Sequence, residues 1–414
     1  MRRAFTLVEL LVAMGVLAIL AGMVTAALVS VNADARRARC ETQLTAINAM
    51  LQSRLETFLT LRVNPGAEVA RIPPGSESWV TLGQESARVR LINLRDQLRY
   101  ELPDRKSDLM LPPQLASGPA PGPTTQLRIV DPNTSNIGRV TYQRPVPPVL
   151  LSYRRAVAQL TGTTLGPNWA DNWTEQYEAS ECLYLVLATT SIAGRSGLEV
   201  VKKDQIADLD GDGVPEILDP WGTPMVWMRW PVGYWLTYEQ RANWQFLNPV
   251  QRKATILEKK KLLGFDQYDP LRIDWRNIDS PTSTPPPPDV ANEVLNDTFN
   301  VPSLVVSAGP DREFDLMLRS SDGAATDWQY GQPIIYGTMT WPVPSPPFAG
   351  SYHYTDPFPR GYHGMADSNY NVDYINDTNP FANANNAGWL GAYFDADADL
   401  TDDSADNIYS LRAP

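Results

Sequence analysis

An unbroken apolar run near the N-terminus constrains this chain more than any other feature of its sequence. The run extends from Leu10 to Val31, and Thr25 and Ser30 are its only polar side chains. About 20 helical residues, at roughly 1.5 Å per residue, cross the hydrocarbon core of a bilayer. We therefore predict a transmembrane helix. An ordinary secretory signal is excluded, because its apolar core is shorter and is followed by a small-residue cleavage site.

An acidic residue, Glu9, lies directly before this run. A carboxylate inside a membrane helix costs about 3 kcal/mol or more, so it indicates a function by default. The alternative is that Glu9 lies at the level of the lipid headgroups, only a few residues into the helix. The arginines do not fix the orientation, because Arg2 and Arg3 precede the run while Arg36, Arg37 and Arg39 follow it.

The residues around Glu9 read Ala4-Phe5-Thr6-Leu7-Val8-Glu9-Leu10-Leu11-Val12. This segment resembles the signature of type IV prepilins and of type II secretion pseudopilins. The resemblance implies that a prepilin peptidase cuts between Ala4 and Phe5 and then methylates the new amine of Phe5. The family usually has glycine before the cut, where this chain has Ala4. It also implies that Glu9 faces the N-terminal amine of a neighbouring subunit, which would favour the correct register during assembly.

The same resemblance implies an α+β pilin-like fold, with a long N-terminal helix packed on a head that contains an antiparallel sheet and calcium-type loops. It implies a structural subunit of a periplasmic pilus-like fibre for type II secretion, and no enzyme. The N-terminus would be cytoplasmic and the head periplasmic. The implied partners are other pilin-like subunits, the prepilin peptidase and an inner-membrane assembly platform. A major or minor type IV pilin is the alternative within this class.

Beyond the membrane, apolar residues recur at steps of three and four, which predicts one continuous helix with a buried stripe. The stripe consists of Cys40, Leu44, Ile47, Leu51, Leu55 and Phe58. Asn64-Pro65-Gly66 should end the helix. We divide the chain into a leader (1–4), a transmembrane helix (5–31), its periplasmic half (32–63), a globular head (64–280), a proline-rich linker (281–290) and a C-terminal head region with an insertion and an acidic loop (291–414).

A candidate calcium loop lies between residues 208 and 219, with the oxygen spacing of a 12-residue calcium loop and glycine at position six. The predicted ligands are Asp208, Asp210, Asp212, Val214, Glu216 and Asp219. An acidic hydrated turn between strands is the alternative interpretation. Clear helices on both sides are lacking, so the pattern predicts calcium chemistry without an EF-hand domain.

Two further turns resemble those of major pseudopilins. The first is Asp219-Pro220-Trp221-Gly222-Thr223-Pro224, which favours a pseudopilin over an ordinary pilin. The second is Ser307-Ala308-Gly309-Pro310-Asp311, which in that family begins a C-terminal calcium loop. Here a long insertion would displace the closing acids. The resemblance implies a possible second calcium site of Asp311, Asp402, Asp403 and Asp406. A polar edge strand or a frayed acidic tail is the alternative.

Composition limits other functions. The net charge of −12 disfavours nucleic-acid binding, because such a surface repels phosphates. Cys40 and Cys182 are predicted to be separate buried thiols, and His353 and His363 to be solvated loop residues. Familiar catalytic motifs are lacking, which leaves a two-carboxylate hydrolase as the remaining enzymatic alternative. A carbohydrate-binding head would need the tryptophans at 227, 230, 235 and 244 to be exposed.

Overall fold

The structure is a computed structural model of the chain. It describes residues 7–60, 80–81, 83–110, 114–115, 118–119, 124–130, 137–143, 146–192, 194–231, 233–235, 249–270, 299–314, 316, 318, 333–334, 354–355 and 406–411.

The long helix, α1, spans Leu7–Leu59 as a single element of 53 residues. The hydroxyls of Thr25 and Thr42 donate to carbonyls one turn earlier, so these polar side chains satisfy themselves within the helix. All six residues of the predicted apolar stripe are buried, which confirms the periodicity argument. The helix ends at Leu59, four residues before the predicted boundary at Val63.

The remaining α-helices in the described residues belong to the head. They are α2 (Gly83–Glu101), α3 (Lys106–Met110), α4 (Pro148–Leu160), α5 (Glu178–Thr189) and α6 (Pro249–Leu263). A proline at the first position of α4 suits a helix start, because that N–H has no helical partner. The sequence predicts a helix from Trp173, whereas α5 begins only at Glu178. Tyr177 has φ of 60°, and this left-handed residue separates the preceding turns from the helix. The sequence did not predict α6.

The strands in the described residues are short and pair antiparallel. They are β1 (Val80–Thr81), β2 (Gln114–Leu115), β3 (Gly118–Pro119), β4 (Thr124–Val130), β5 (Ile137–Gln143), β6 (Ser191–Ile192), β7 (Arg195–Ser196), β8 (Ile206–Ala207), β9 (Glu216–Ile217), β10 (Val226–Met228), β11 (Leu304–Ser307), β12 (Pro333–Ile334), β13 (Tyr354–Thr355) and β14 (Ile408–Tyr409). The sequence predicts strand-like runs between Gln126 and Tyr142 and strands around Met225–Met228 and Leu304–Val306, and β4, β5, β10 and β11 lie at these places.

Two three-stranded sheets organise these strands. One has the order β1-β4-β5, and the other has the order β10-β11-β14. In the second sheet Val226 lies opposite Val306, and Val306 also lies opposite Tyr409. Because β14 follows the long C-terminal region, this pairing returns the chain to the core of the head. Helix α1 packs on β11 and β14, while α5 packs on β9 and β10. The fold is therefore the predicted α+β arrangement, a long apolar helix followed by a head with small antiparallel sheets.

Candidate functional site

The first half of α1 touches nothing in the described head. Its large apolar side chains are exposed from Leu10 to Val31, and the helix is long and apolar enough to cross a membrane. Exposed apolar surface of this extent is unfavourable in water by about 25 cal/mol per Å². This half therefore requires an apolar environment from outside the chain.

The second half of α1 is held on the head by side-chain hydrogen bonds as well as by its apolar stripe. Gln43 donates to the carbonyl of Leu218 at 3.3 Å and accepts from Gln205 at 2.7 Å. Gln52 donates to the hydroxyl of Ser303 at 3.3 Å. These contacts place polar groups of the helix opposite the segments that precede β10 and β11. The helix thus changes from an unpartnered element to a core element within one continuous segment.

Of the predicted processing and assembly residues, Ala4 and Phe5 lie outside the described residues. Glu9 lies within α1, but its side chain is outside the described part of the structure. Cleavage at Ala4–Phe5 and the register role of Glu9 therefore stay predictions.

The predicted calcium loop forms a tight turn between β8 and β9, which pair with each other. Both oxygens of Asp208 accept backbone N–H groups, from Gly211 at 2.7 Å and from Gly213 at 3.0 Å. Gly213 has φ of 102°, and a Cβ there would lie 2.5 Å from the carbonyl oxygen of Leu160. Glycine is therefore required at this position, both for its conformation and for the close approach of α4.

Three carboxylates converge beside this turn. Glu181 of α5, Asp210 and Glu216 each place a carboxylate oxygen within 4.8 Å of the other two. Asp208, Asp210 and Asp212 form a second group that satisfies the same criterion and shares Asp210. We call these five residues, Glu181, Asp208, Asp210, Asp212 and Glu216, the acidic cluster.

The buried members of the acidic cluster have strongly perturbed acidities. Burial is the largest cause that raises the pKa of Glu181 to about 10, and the charges of Asp212 and Asp210 add to it. Burial likewise raises the pKa of Glu216 to about 7, even though the backbone N–H of Leu209 donates to it. One oxygen of Glu181 and one of Glu216 are buried without a hydrogen-bond partner. The cluster thus contains carboxylate oxygens that the chain itself leaves unsatisfied.

The turn before α5 holds the cluster from a second direction. The indole N–H of Trp173 donates to Oε2 of Glu181 at 2.7 Å. The backbone N–H of Thr174 donates to Asp212 at 2.7 Å, and its hydroxyl donates to Asp210. These contacts hold Trp173 and Thr174 against the acidic cluster, outside the helix that begins at Glu178.

Asp219, the predicted last ligand of the loop, lies in a different set of contacts. Its Oδ1 accepts the N–H groups of Trp221 and Thr223, both at 2.9 Å. Its Oδ2 accepts the hydroxyl of Ser307 at 2.7 Å. It belongs to neither of the two carboxylate groups of the acidic cluster. Asp219 therefore fixes its own Pro-Trp-Gly turn and joins that turn to the one that begins at Ser307.

Glu181 is the residue that sequence reasoning missed. It is the only charged residue between Ala179 and Thr190, in a stretch otherwise rich in apolar side chains. A lone glutamate on a buried helix face needs a partner, so this signal was available. Its partner could not be identified from sequence, because the loop that faces it lies 27 to 35 positions later in the chain (208 − 181 and 216 − 181).

The structure brings together two residues of the predicted second calcium site. Burial is the largest cause that raises the pKa of Asp406 to about 6, and the hydrogen bond with Asp311 and the charge of Asp311 raise it further. Gly309 has φ of 83°, and a Cβ there would lie 2.8 Å from the carbonyl oxygen of Asp406. Asp402 and Asp403 lie outside the described residues. Two of the four predicted ligands are thus adjacent despite the insertion between them.

The remaining candidates have simpler environments. Cys40 and Cys182 are free and buried, as predicted. Trp227, Trp230 and Trp235 are buried, so these three offer no exposed surface to a sugar. Trp244, His353 and His363 lie outside the described residues, as does the proline-rich linker at 281–290.

Comparison with known proteins gave one result. Residues 1–25 match the family described as the prokaryotic N-terminal methylation motif. No curated protein and no solved structure matched the chain. The matched segment contains the predicted cleavage site and the start of the exposed apolar helix. The chain thus carries the N-terminal signature of type IV pilins and pseudopilins, and this motif indicates a type IV pilin-like precursor that a prepilin peptidase processes.

Proposed function

We propose that the protein is a structural pseudopilin subunit without catalytic activity. After cleavage at Ala4–Phe5 and N-methylation of Phe5, it assembles with other pilin-like subunits into a periplasmic fibre that serves type II protein secretion. Before assembly it is a single-pass protein of the inner membrane, with its N-terminus in the cytoplasm and its head in the periplasm. An inner-membrane platform receives it.

The division of α1 is the observation that carries this proposal. Its first half exposes an apolar surface on all sides, whereas its second half buries one face, the stripe from Cys40 to Phe58, against the head. Such a helix suits two successive environments. Lipid surrounds the first half before assembly, and neighbouring copies of the same helix surround it afterwards. Because the head is bound only to the second half, the head can keep its structure while the first half moves from lipid into a fibre.

The junction of two turns supports a pseudopilin over an ordinary pilin. The turns at Asp219 and Ser307 each resemble a major-pseudopilin turn, and the 2.7 Å hydrogen bond between these side chains joins them. Gly309 and Asp311 follow in the second turn, next to Asp406. We propose that calcium binds at this second location. The bound ion would stabilise the C-terminal segment, since binding energy that is specific to the fold adds to its stability.

Mass spectrometry of the mature N-terminus tests the processing step. The expected first residue is N-methylated Phe5, and membranes that contain only protein with an intact Met1 would refute the proposal. Glu9→Ala tests assembly: the variant should insert in the membrane and be cleaved, but should give no fibre. Glu41→Ala is the matched control, because Glu41 lies on the same helix outside the apolar half and pairs with Arg37 on the surface. Fibre yield from Glu9→Ala equal to that of the control would contradict the role of Glu9.

A deletion strain separates secretion from a surface pilus. Loss of specific proteins from the medium, with surface fibres unchanged, supports the pseudopilin proposal. Loss of surface fibres with a normal set of secreted proteins assigns the chain to a type IV pilus instead.

A further inference from the structure

We propose that the acidic cluster is a calcium site that Glu181 of α5 closes, in place of Asp219. This inference concerns the head alone and does not depend on which machine assembles the subunit. It changes the expected ligand set from one contiguous loop to a loop joined to a helix.

Two unsatisfied oxygens are the first evidence. The side chains of Glu181 and Glu216 are fully buried, and one oxygen of each has no hydrogen-bond partner. A buried polar atom without a partner costs about 1–3 kcal/mol, and a charged one costs more. Native proteins retain such atoms mainly where a ligand or an ordered molecule completes them.

The position of these two side chains is the second evidence. Glu181 and Glu216 lie within 4.8 Å of Asp210, and Asp210 also belongs to the group with Asp208 and Asp212. No described lysine, arginine or histidine forms an ion pair with any of the five side chains in the acidic cluster. When these side chains are ionised, no cation among the described residues balances their negative charge.

The chemistry of the ligands selects the ion. All five are carboxylates, which are hard oxygen donors, and neither histidine nor cysteine is among them. Calcium takes about 6–8 oxygens in flexible geometry, whereas magnesium keeps several waters and binds one or two carboxylates. A cluster of five carboxylates therefore fits calcium better than magnesium or zinc.

The site would have a structural consequence. Glu181 belongs to α5, Glu216 is the first residue of β9, and the other three ligands belong to the turn between β8 and β9. Trp173 donates to Glu181, and Thr174 donates to the loop, so the turn before α5 is positioned by the same ligands. Calcium would link α5, its preceding turn and the acidic loop. Because α5 packs on β9 and β10, the ion would also stabilise this part of the head.

Calcium titration of the full chain in detergent micelles, after removal of metal with a chelator, tests the proposal. Calorimetry with calcium chloride is expected to show a binding event that Glu181→Gln weakens on the order of tenfold or more, because it loses a charged ligand. Glutamine keeps the acceptor for Trp173, so this variant preserves that hydrogen bond. Asp204→Asn is the matched control, since Asp204 is an exposed acid in the neighbouring turn Lys203–Gln205.

Two more variants separate this site from the alternatives. Asp219→Asn should keep the binding event. If Asp219→Asn abolishes calcium binding while Glu181→Gln retains it, the contiguous loop of residues 208–219 is the site and the proposal is overturned. Asp311→Asn should also keep the event, because Asp311 belongs to the separate candidate site beside Asp406. Titration of the wild-type chain that shows no event sensitive to Glu181→Gln would likewise overturn it.

Discussion

Two clusters of buried carboxylates lie in the head, and their charges are balanced in different ways. The first, which we call the arginine cluster, consists of Asp104, Asp108 and Arg229. The second is the acidic cluster around Glu181. Both contain carboxylates that are almost wholly removed from solvent. Only the arginine cluster has a cation supplied by the described chain.

The arginine cluster is satisfied from several sides. The guanidinium of Arg229 contacts Asp108 through both terminal nitrogens, each at 3.0 Å, and contacts Asp104 at 3.3 Å. It also donates to the carbonyl of Leu102 at 2.7 Å. The backbone N–H of Arg229 donates to Asp104 at 2.9 Å, which fixes the end of β10 to the loop after α2. Arg229 thereby joins a strand of the head sheet to the α2–α3 connection.

In the arginine cluster, a cation of the chain offsets the cost of burying carboxylates. In the acidic cluster, no cation of the described chain offsets this cost. A permanent internal pair serves where nothing needs to enter or leave. A cluster without a cation serves where an ion is bound from the solvent, and its stability then depends on the ion concentration. This difference predicts opposite responses to mutation and to chelation.

Removal of Arg229 from the arginine cluster should have the largest effect. In Arg229→Met, Asp104 keeps its ion pair with Arg105 at 3.1 Å, but Asp108 loses both of its contacts to a guanidinium and stays buried beside Asp104. This is expected to reduce the free energy of unfolding by about 3–5 kcal/mol. Thermal or urea unfolding of the full chain in micelles measures this change. Arg37→Met is the control, because Arg37 and Glu41 form an exposed pair worth about 1 kcal/mol or less. Equal losses in the two variants would show that the buried cluster has no special role.

The loss of stability in Arg229→Met should depend on pH. Burial is the largest cause that raises the pKa of Asp108 from 3.8 to about 6. Between these values the folded state holds a proton that the unfolded state lacks, so Asp108 contributes a loss of stability as the pH rises through this window. Without Arg229 the folded-state pKa of Asp108 rises further, so the upper end of this window extends to higher pH. The deficit of Arg229→Met should therefore shrink below about pH 5 and grow towards about pH 8. A deficit that is constant with pH would contradict this account.

Chelation should have the next largest effect, through the acidic cluster. If calcium is present at about 100 times its dissociation constant, its removal lowers the free energy of unfolding by about 2.7 kcal/mol. The wild-type chain should therefore melt at a lower temperature with chelator than with calcium. In Glu181→Gln, the part of this change in melting temperature that comes from the acidic cluster should disappear, whereas Arg229→Met should retain it. A melting temperature of the wild-type chain that chelator leaves unchanged would contradict structural calcium.

Glu181→Gln should have a smaller and opposite effect in metal-free protein. The substitution removes a buried acid that has no counter-charge and keeps the hydrogen bond from Trp173. We expect the metal-free variant to be more stable than metal-free wild type by about 1–2 kcal/mol. Asp108→Asn provides the contrast, because it should destabilise a cluster that is already balanced. Unfolding curves of both variants in chelator test this difference in sign.

Features that depend on local spacing could be predicted from the sequence. The membrane helix follows from the length of the apolar run, and the stripe from Cys40 to Phe58 follows from periodicity. The strands near Val226 and Leu304 coincide with short apolar runs. The composition of the acidic loop likewise indicated carboxylates around a turn, because its acids alternate within one short segment.

Features that depend on long-range contacts could not be predicted. Glu181 faces the loop only after α5 has packed on β9, and Asp219 is held by Ser307, which lies 88 positions later in the chain. The resemblance placed Asp311 and Asp406 in one site, but their proximity depends on the pairing of β14 with β11. In each case the partner is chosen by tertiary packing, which spacing along the chain does not encode.

The two buried thiols provide a probe of both clusters, on which Glu181→Gln is expected to have little effect. Burial raises the pKa of Cys40 to about 12 and that of Cys182 well above its ordinary value. For Cys182, charges from both clusters add to this shift, from Asp108 on one side and Glu181 on the other. Because the thiolate is the reactive form, alkylation of the folded chain at pH 8 should be about a hundredfold or more slower than that of unfolded chain. Mass spectrometry of labelled peptides measures each site separately. Glu181→Gln should leave Cys182 protected because burial is the dominant cause, so fast labelling of Cys182 in the folded variant would show that the charges, and not the packing, keep this thiol neutral.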